Sequence, residues 1–296
     1  MSKVLEVLNF NVNINNQGDL YTKRGLSLTQ HSTEKIVILG SSGVGKSVLF
    51  ESLLGLGISN ARTTGALKVV KQIGYLYTQN HLDVQETIEA NFKTYYRNFN
   101  LLADMQQITA FIMQQEGLSM NTLVSSLSFG TQRRMAFYRC YFQKSTKLLF
   151  LDEPTIGFDQ QRVKRLVRLI KNDTKRAYLI ISHEESLVKV ADRLMVLSKK
   201  YHTFVSKVKD SAFLILSYGS LSDLKKVLNP KEYFKDITII YKNRQENKII
   251  CRVPPRTYNV LKADLEGAPE SMCGRAFAAI YVKDESLSTF LKLYML

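Results

Sequence analysis

The residues whose types and spacing most clearly suggest chemistry are 40–47, which read GSSGVGKS and fit the pattern G-x-x-x-x-G-K-[ST]. Glycines let backbone N–H groups approach a phosphate, because no Cβ stands in the way. Lys46 is suited to reach the β- and γ-phosphates of a nucleotide, and the Ser47 hydroxyl to bind Mg²⁺. The sequence therefore predicts a nucleoside-triphosphate site formed by Gly40, Ser41, Ser42, Gly43, Val44, Gly45, Lys46, Ser47 and Val48.

The residues on both sides of this loop predict the elements that must hold it in place. Residues 36–39 are apolar and mostly β-branched, which favours a buried strand, and residues 48–54 have helical spacing. The positive end of the helix dipole would add to the attraction for phosphate. A chance glycine-rich turn is the alternative, but the strand–loop–helix order that the motif requires favours nucleotide binding.

A second candidate site is a pair of carboxylates that follows the apolar residues 148–151. A strand tip that carries Asp is where a phosphate site holds its Mg²⁺, usually through water, and Asp152 is expected to do this. Glu153 would point the other way and polarise a water that attacks the γ-phosphate. Adjacent acids at a strand end are often only surface charges, but their position after a phosphate loop favours the functional interpretation.

Three more polar residues stand at the ends of predicted elements. Gln79 follows a predicted strand, and its amide oxygen is suited to meet a metal ion or an attacking water. Ser128 is predicted to cap a helix whose free N–H groups form a second anion site. His183 stands at the edge where parallel sheets bind ligands, and is suited to bond the γ-phosphate and orient Glu153. Taken alone, each has a plainer interpretation: a solvated glutamine, a simple helix cap or a structural histidine.

The remaining hydrophobic patterns predict the rest of the fold. Alternation over residues 3–14 predicts an antiparallel strand, followed by a second strand over 21–29. Few glycines and helical spacing over about 84–143 predict inserted helices. Tyr21 is a candidate to stack on adenine, although packing beneath the sheet fits it equally well and Phe10 competes for the role. Further on, the patterns predict a strand and helix over 215–226, hairpin strands over 237–241 and 248–253, a helix over 258–265, a strand over 276–282 and a final helix over 286–296.

The composition narrows the class of protein. The 41 Lys and Arg residues against 26 Asp and Glu give a formal net charge of +15, which favours anionic partners or is simply a basic surface. No basic run is interleaved with aromatics, so no nucleic acid is expected as a partner. The 3 cysteines are too few for a disulfide framework or a zinc site. No apolar stretch approaches the ~20 residues of a membrane span and no signal peptide is evident, which predicts a cytosolic protein unless a partner holds it at a membrane.

The order of these motifs resembles the nucleotide-binding subunit of ATP-binding-cassette (ABC) transporters. The matching elements are the phosphate loop, Gln79, the signature at 127–132, the second motif at 148–153, the turn at 157–159 and His183. The resemblance covers residues 1–200 and implies an α/β P-loop NTPase cassette with a mixed sheet core, an antiparallel β subdomain and an inserted helical subdomain over about 84–143. Residues 1–205 would form this ATPase domain, and 206–296 a small α+β C-terminal extension.

The resemblance also implies a mechanism. Two such subunits, identical or different, would close around two ATP molecules, with Ser128 and Gly130 of each facing the γ-phosphate held by the other. Hydrolysis would need Glu153, His183, Gln79 and a Mg²⁺ bound by Ser47, Gln79 and Asp152. Opening and closing of the dimer would drive a separate transmembrane permease, which would hold the protein peripherally on the inner face of the cell membrane.

The signature departs from the usual sequence of the family, and a second segment indicates which type of transporter the chain resembles. The usual signature L-S-G-G-Q reads LSFGT here, with Phe129 and Thr131 in place of a glycine and the glutamine. Residues 282–291 are similar to the tail of multidrug and bacteriocin-type exporters, which favours export. The alternatives are an ABC ATPase that transmits force at a membrane without moving a solute, one that acts on nucleic acid or ribosomes, and a regulatory cassette that binds ATP with little turnover.

Overall fold

The computed structural model describes most of the first two hundred residues and several strands beyond them. The described residues are 2–15, 19–21, 25–39, 43, 45–182, 184–188, 190–197, 202–206, 212–217, 238–243, 248–253 and 279–282. In chain order, the strands are β1 (Lys3–Ile14), β2 (Leu26–His31), β3 (Lys35–Leu39), β4 (Ala61–Val69), β5 (Ile73–Leu76), β6 (Leu148–Asp152), β7 (Ala177–Ile181), β8 (Arg193–Leu197), β9 (His202–Ser206), β10 (Ala212–Ser217), β11 (Thr238–Asn243), β12 (Lys248–Val253) and β13 (Ala279–Val282). The helices are α1 (Lys46–Leu53), α2 (Ile88–Asn98), α3 (Met105–Glu116), α4 (Phe129–Tyr141), α5 (Gln160–Asn172) and α6 (Glu185–Val188), with a 3₁₀ turn at Val124–Ser126.

The central sheet has the strand order β5-β6-β7-β3-β8-β9. Strands β5, β6, β7, β3 and β8 are parallel, and β9 runs antiparallel to β8. Every residue of β3, β6 and β7 is buried, because a parallel sheet covered on both faces requires continuous apolar strands. The carboxyl ends of these strands lie side by side, so whatever follows them in sequence is brought to one edge. The predicted mixed sheet core is confirmed.

A separate antiparallel sheet has the order β2-β1-β4. The alternation that predicted the first strand is borne out by β1, but the second strand begins at Leu26 rather than near residue 21. Strand β4 was missed, since most of its side chains are exposed and it shows no clear apolar period. A bulge in β1 leaves Asn9 with a positive φ, and the chain passes so closely that a Cβ on Gly65 would lie 2.5 Å from the Asn9 carbonyl oxygen.

The predicted helical insertion is confirmed over α2, α3 and α4. Each helix begins at a side chain that accepts a backbone N–H: Thr87 from Ala90, Asp104 from Gln107, and Ser128 from Thr131. The insertion packs against the central sheet through one continuous buried cluster, whose members include Phe92, Ile108, Ile112, Met135, Phe137, Leu149 and Leu151. It is therefore anchored to the strand that carries the acid pair.

The C-terminal strands form a four-stranded antiparallel sheet in the order β11-β12-β10-β13. The predicted hairpin is confirmed, with Thr238 opposite Arg252 and Asn243 opposite Lys248. The helices predicted at 258–265 and 286–296, and the helical part of 215–226, lie outside the described residues. None of the helices that the structure describes is long and apolar enough to cross a membrane.

Candidate nucleotide-binding site

The predicted phosphate loop leads into α1, as its sequence required. Gly43 and Gly45 adopt left-handed φ angles of 73° and 97°, which glycine takes without the strain that a Cβ would bring. Gly45 is the N-cap of α1, so Lys46 is the first residue of the helix and Ser47 is exposed beside it. Of the other predicted loop residues, Val48 lies within α1, whereas Gly40, Ser41, Ser42 and Val44 lie outside the described residues.

Tyr21 supports this loop from beneath rather than offering a surface for a base. Its side chain is buried, with the ring 6.2 Å from that of Phe10, and its hydroxyl donates to the carbonyl oxygen of Gly45 at 2.9 Å. Burial raises the pKa of the Tyr21 phenol, so the hydroxyl stays a donor. Phe10 is buried as well. The adenine-stacking role considered for Tyr21 and Phe10 is therefore wrong, and the packing alternative is correct.

Lys46 lies close enough to both carboxylates of the second motif to interact with them electrostatically. Burial lowers the pKa of the Lys46 ammonium, while the charges of Glu153 and Asp152 oppose that shift. The helix after β3 and the tip of β6 thus bring one cation and two anions together at the same edge of the sheet. That these three side chains act on a nucleotide and its metal ion stays a prediction.

Asp152 is the last residue of β6 and lies opposite Ile181 of β7. Its carboxylate is buried and accepts a hydrogen bond from the Thr78 hydroxyl at 2.6 Å. Thr78 directly precedes Gln79, whose side chain is exposed. The structure therefore connects the segment of Gln79 to Asp152, through a threonine that the sequence pattern gave no reason to select.

Glu153 leaves the strand in an unusual backbone conformation. Its φ of 44° lies in the left-handed region, which costs a residue with a Cβ on the order of 1 kcal/mol. Its N–H donates to the Ile181 carbonyl at 2.8 Å, which fixes it to the end of β7. His183, which the sequence places two residues after Ile181, lies outside the described residues. Its catalytic role stays a prediction.

The altered signature forms a hydrogen-bonded helix start. The Ser128 hydroxyl accepts the Thr131 N–H at 3.3 Å and lies 2.8 Å from the Thr131 hydroxyl. Thr131 in turn accepts from Arg134 at 3.0 Å, and Arg134 forms a buried ion pair with Glu116 of α3 at 2.9 Å. Thr131 therefore holds the exposed Ser128 side chain in place. Phe129 is 53% exposed, on the same turn.

Gly130 packs against the turn that follows the acid pair. A Cβ on Gly130 would collide with the carbonyl oxygen of Gly157, and Gly157 itself has a left-handed φ of 77°. One on Gly157 would lie 3.2 Å from Cδ1 of Phe129. Gly130 is buried by its own chain, so any contact it makes with a nucleotide on another subunit would be through its backbone. The signature and the 157–159 turn are in direct contact.

Gly130→Ala is expected to lower ATP turnover by about tenfold, because the new Cβ forces the signature and the Gly157 turn apart. Gly57→Ala is the matched control, since a Cβ there meets nothing within 4 Å. Steady-state hydrolysis and thermal unfolding of both variants provide the measurement. Equal turnover and equal unfolding temperatures in Gly130→Ala and Gly57→Ala would show that the contact between Gly130 and Gly157 does not affect ATP hydrolysis.

An open groove of about 680 Å³ lies between the Gln79 segment and α2. Its lining includes Tyr75, Tyr77, Gln79, Asp83, Tyr95 and Arg139. The Arg139 guanidinium lies 4.4 Å from the centroid of the Tyr95 ring and donates to the His81 carbonyl at 2.9 Å. The groove therefore has ordered aromatic walls and reaches Gln79, the residue next to the one that bonds Asp152.

A strand, a glycine-rich turn and a helix that sets its first lysine beside two carboxylates define a P-loop nucleoside triphosphatase. The added antiparallel sheet and helical insertion give the ABC cassette fold. A family model described as "ABC transporter" matches residues 24–156. The matched residues contain the phosphate loop, the signature and the acid pair, and members of the matching family are ATPases.

Similar proteins agree with this match. The lipoprotein-releasing system ATP-binding protein LolD of Psychrobacter arcticus is 29% identical over 221 residues, which are 67% of this chain and 96% of that protein. The zinc import ATP-binding protein ZnuC 1 of Aliivibrio fischeri is 26% identical over 65% of this chain and 75% of its own length. Among solved structures, cbiO1 of Clostridium perfringens, described as part of the ABC transporter complex cbiONQ, superposes with a TM-score of 0.56 at 21% identity. That match covers 70% of this chain and 89% of cbiO1.

Proposed function

We propose that this chain is the ATP-hydrolysing subunit of an ABC transporter, and that it couples ATP-driven dimerisation to a separate transmembrane permease. The observation that carries the proposal is that Lys46, at the start of the helix after β3, and Asp152 with Glu153, at the end of β6, lie at the same carboxyl edge of one parallel sheet. A cation at a helix start binds the phosphates, while carboxylates at a strand tip on the same edge of the sheet serve a metal ion and an attacking water. A site that binds ATP without hydrolysing it would not need Glu153 beside Asp152.

The residues divide the reaction among them. The backbone N–H groups of the loop and Lys46 bind the phosphates, and Gln79 orients the water. Glu153 accepts a proton from that water as its oxygen attacks the γ-phosphorus and the bond to the ADP oxygen breaks. Ser47, Gln79 and Asp152 offer the hydroxyl, amide and carboxylate oxygens that Mg²⁺ prefers, and the ion would neutralise charge on the β- and γ-phosphates when bound. His183 is proposed to bond the γ-phosphate.

A second ATPase subunit, identical or different, would complete the site. Ser128 is exposed at the start of α4, where free N–H groups and the positive end of the helix dipole attract an anion. We assign it the γ-phosphate held by the partner subunit, with Gly130 contributing its backbone. The hydrogen bonds of Ser128 to Thr131 support this role, because they fix the hydroxyl before the nucleotide arrives.

The groove beside Gln79 is proposed as the docking site of the permease. Its aromatic walls suit an apolar segment, and Asp83 and Glu86 give it an acidic rim. A segment bound there would touch Gln79 and could act on Asp152 through Thr78. Docking would hold the chain peripherally on the inner face of the membrane. The relatives include proteins named for import and for lipoprotein release, so export stays a sequence prediction and the proposal is transport in either direction.

The proposed function predicts that the purified chain hydrolyses ATP with Mg²⁺ and stops when EDTA is in excess. Release of phosphate, followed with and without EDTA, measures turnover, and a fluorescent ATP analogue measures binding. A folded chain that binds no ATP would overturn the proposal. Binding without turnover would contradict the homodimer and favour a pair of different subunits.

A further inference from the structure

Arg133 is a fully buried cation in the second turn of α4. The two terminal nitrogens of its guanidinium donate their four N–H groups to five oxygens outside its own helix, so one N–H is shared, while the buried Nε has no partner among the described residues. One nitrogen bonds the carbonyls of Tyr77 and Thr78 and the amide oxygen of Asn80, the last two at 3.1 Å and 3.2 Å. The other bonds the carbonyls of Asp152 and Glu153, the latter at 3.2 Å. One planar group therefore joins both segments that supply catalytic residues.

Burial of a guanidinium is costly unless its hydrogen bonds are made, and here both terminal nitrogens make them. Burial lowers the pKa of Arg133 to about 10, while Asp152 and Glu153 oppose the shift. The side chain therefore remains charged at neutral pH. Lysine has a single nitrogen and cannot span both segments, and an apolar residue would leave the carbonyls of Asp152 and Glu153 without these donors.

The helix that carries Arg133 is the one that begins at Ser128. The two residues are about 7.5 Å apart along the helix axis, given a rise of about 1.5 Å per residue. Arg139, on the same helix, adds bonds to the carbonyls of Asn80 and His81 at 3.3 Å and 2.9 Å. Helix α4 thus holds the 77–81 segment from two points, and holds the acid pair from one of them.

We propose that Arg133 is a positioning residue that keeps Gln79 and Glu153 at fixed positions relative to each other and to α4, the helix that begins in the signature. When α4 moves to present Ser128 to the other subunit, the Arg133 bonds move the 77–80 segment and the tip of β6 with it. The water-orienting residue and the proton acceptor reach their working geometry only when α4 does. This inference rests on the roles proposed above for Gln79, Glu153 and Ser128.

The inference predicts that Arg133→Gln and Arg133→Met lower kcat by about 10- to 100-fold, as expected for a misplacement of about 1 Å, and leave KM and the dissociation constant for ATP within about threefold. The matched control is Arg176→Met. Arg176 is another largely buried arginine, bonded to Asp173 and Tyr141, at the amino end of β7 and away from the site. The control is expected to lower the unfolding temperature and keep kcat, when assayed well below that temperature.

Amide hydrogen exchange gives a readout that does not need turnover. Faster exchange over residues 77–81 and 153–157 is expected in the Arg133 variants but not in Arg176→Met. An Arg133→Met protein with kcat within about twofold of wild type and unchanged exchange would overturn the inference. So would a loss of kcat that is matched by an equal loss of ATP affinity and by the same loss in the control, because Arg133 would then be structural only.

Glu153→Gln in the same assay separates this inference from the proposed function. Turnover that survives in Glu153→Gln removes Glu153 as the proton acceptor, whatever the Arg133 variants do. Turnover lost in Glu153→Gln but kept in Arg133→Gln and Arg133→Met contradicts the positioning role alone. If the full chain binds ATP without turnover, the hydrogen-exchange comparison decides the matter.

Discussion

Glu153→Gln is expected to reduce ATP turnover by about 10²- to 10³-fold while ATP affinity stays within a few-fold of wild type. The amide has nearly the same shape as the carboxylate, so the contacts around it survive, but it cannot accept a proton from the attacking water. With hydrolysis blocked, ATP would keep two subunits closed. Phosphate release measures turnover, and size-exclusion chromatography with ATP measures the dimer.

The matched control for this prediction is Glu89→Gln on α2. Glu89 pairs with Lys93 on the helix surface at 2.8 Å, away from the sheet edge, so its loss of charge should leave turnover unchanged. Unaltered turnover in Glu153→Gln would remove this residue from the role of base. A monomer in the presence of ATP would contradict closure of two identical chains.

Lys46→Ala is expected to weaken ATP binding about 10- to 100-fold, because charge-assisted hydrogen bonds to the phosphates are lost. The loss is also electrostatic. Without the ammonium, Asp152 and Glu153 would face the phosphates as uncompensated negative charges, and like charges repel. Titration with a fluorescent ATP analogue gives the dissociation constant.

Lys93→Ala is the control for the lysine, since its exposed ammonium pairs with Glu89 on the surface of α2, a different element from α1. The control should bind ATP as the wild type does. If Lys46→Ala also binds with wild-type affinity, the assignment of residues 40–47 as the phosphate loop is wrong. A loss of binding in both variants would indicate a general effect of charge.

Much of the architecture was predictable because it follows from local patterns. Strands β3 and β6 are continuous apolar runs, and the residues after them carry the motifs, so their positions at one sheet edge follow from parallel pairing. The residues missed are those whose role depends on distant partners. Nothing near Thr78 or Arg133 in sequence indicates that their side chains meet the β6 tip. Tyr21 was ambiguous because only the fold decides which side of a ring is covered.

The left-handed backbone of Glu153 lowers the stability of the fold at a residue that is proposed to serve ATP turnover. Glycine or asparagine would adopt the same φ with less strain, which is on the order of 1 kcal/mol for other residues. Selection for a more stable fold alone would therefore replace Glu153 with another residue. A chain that keeps a glutamate in this conformation is less stable than its fold allows. A redesign for heat resistance that placed glycine or asparagine at position 153 would give a more stable protein that lacks the proposed proton acceptor.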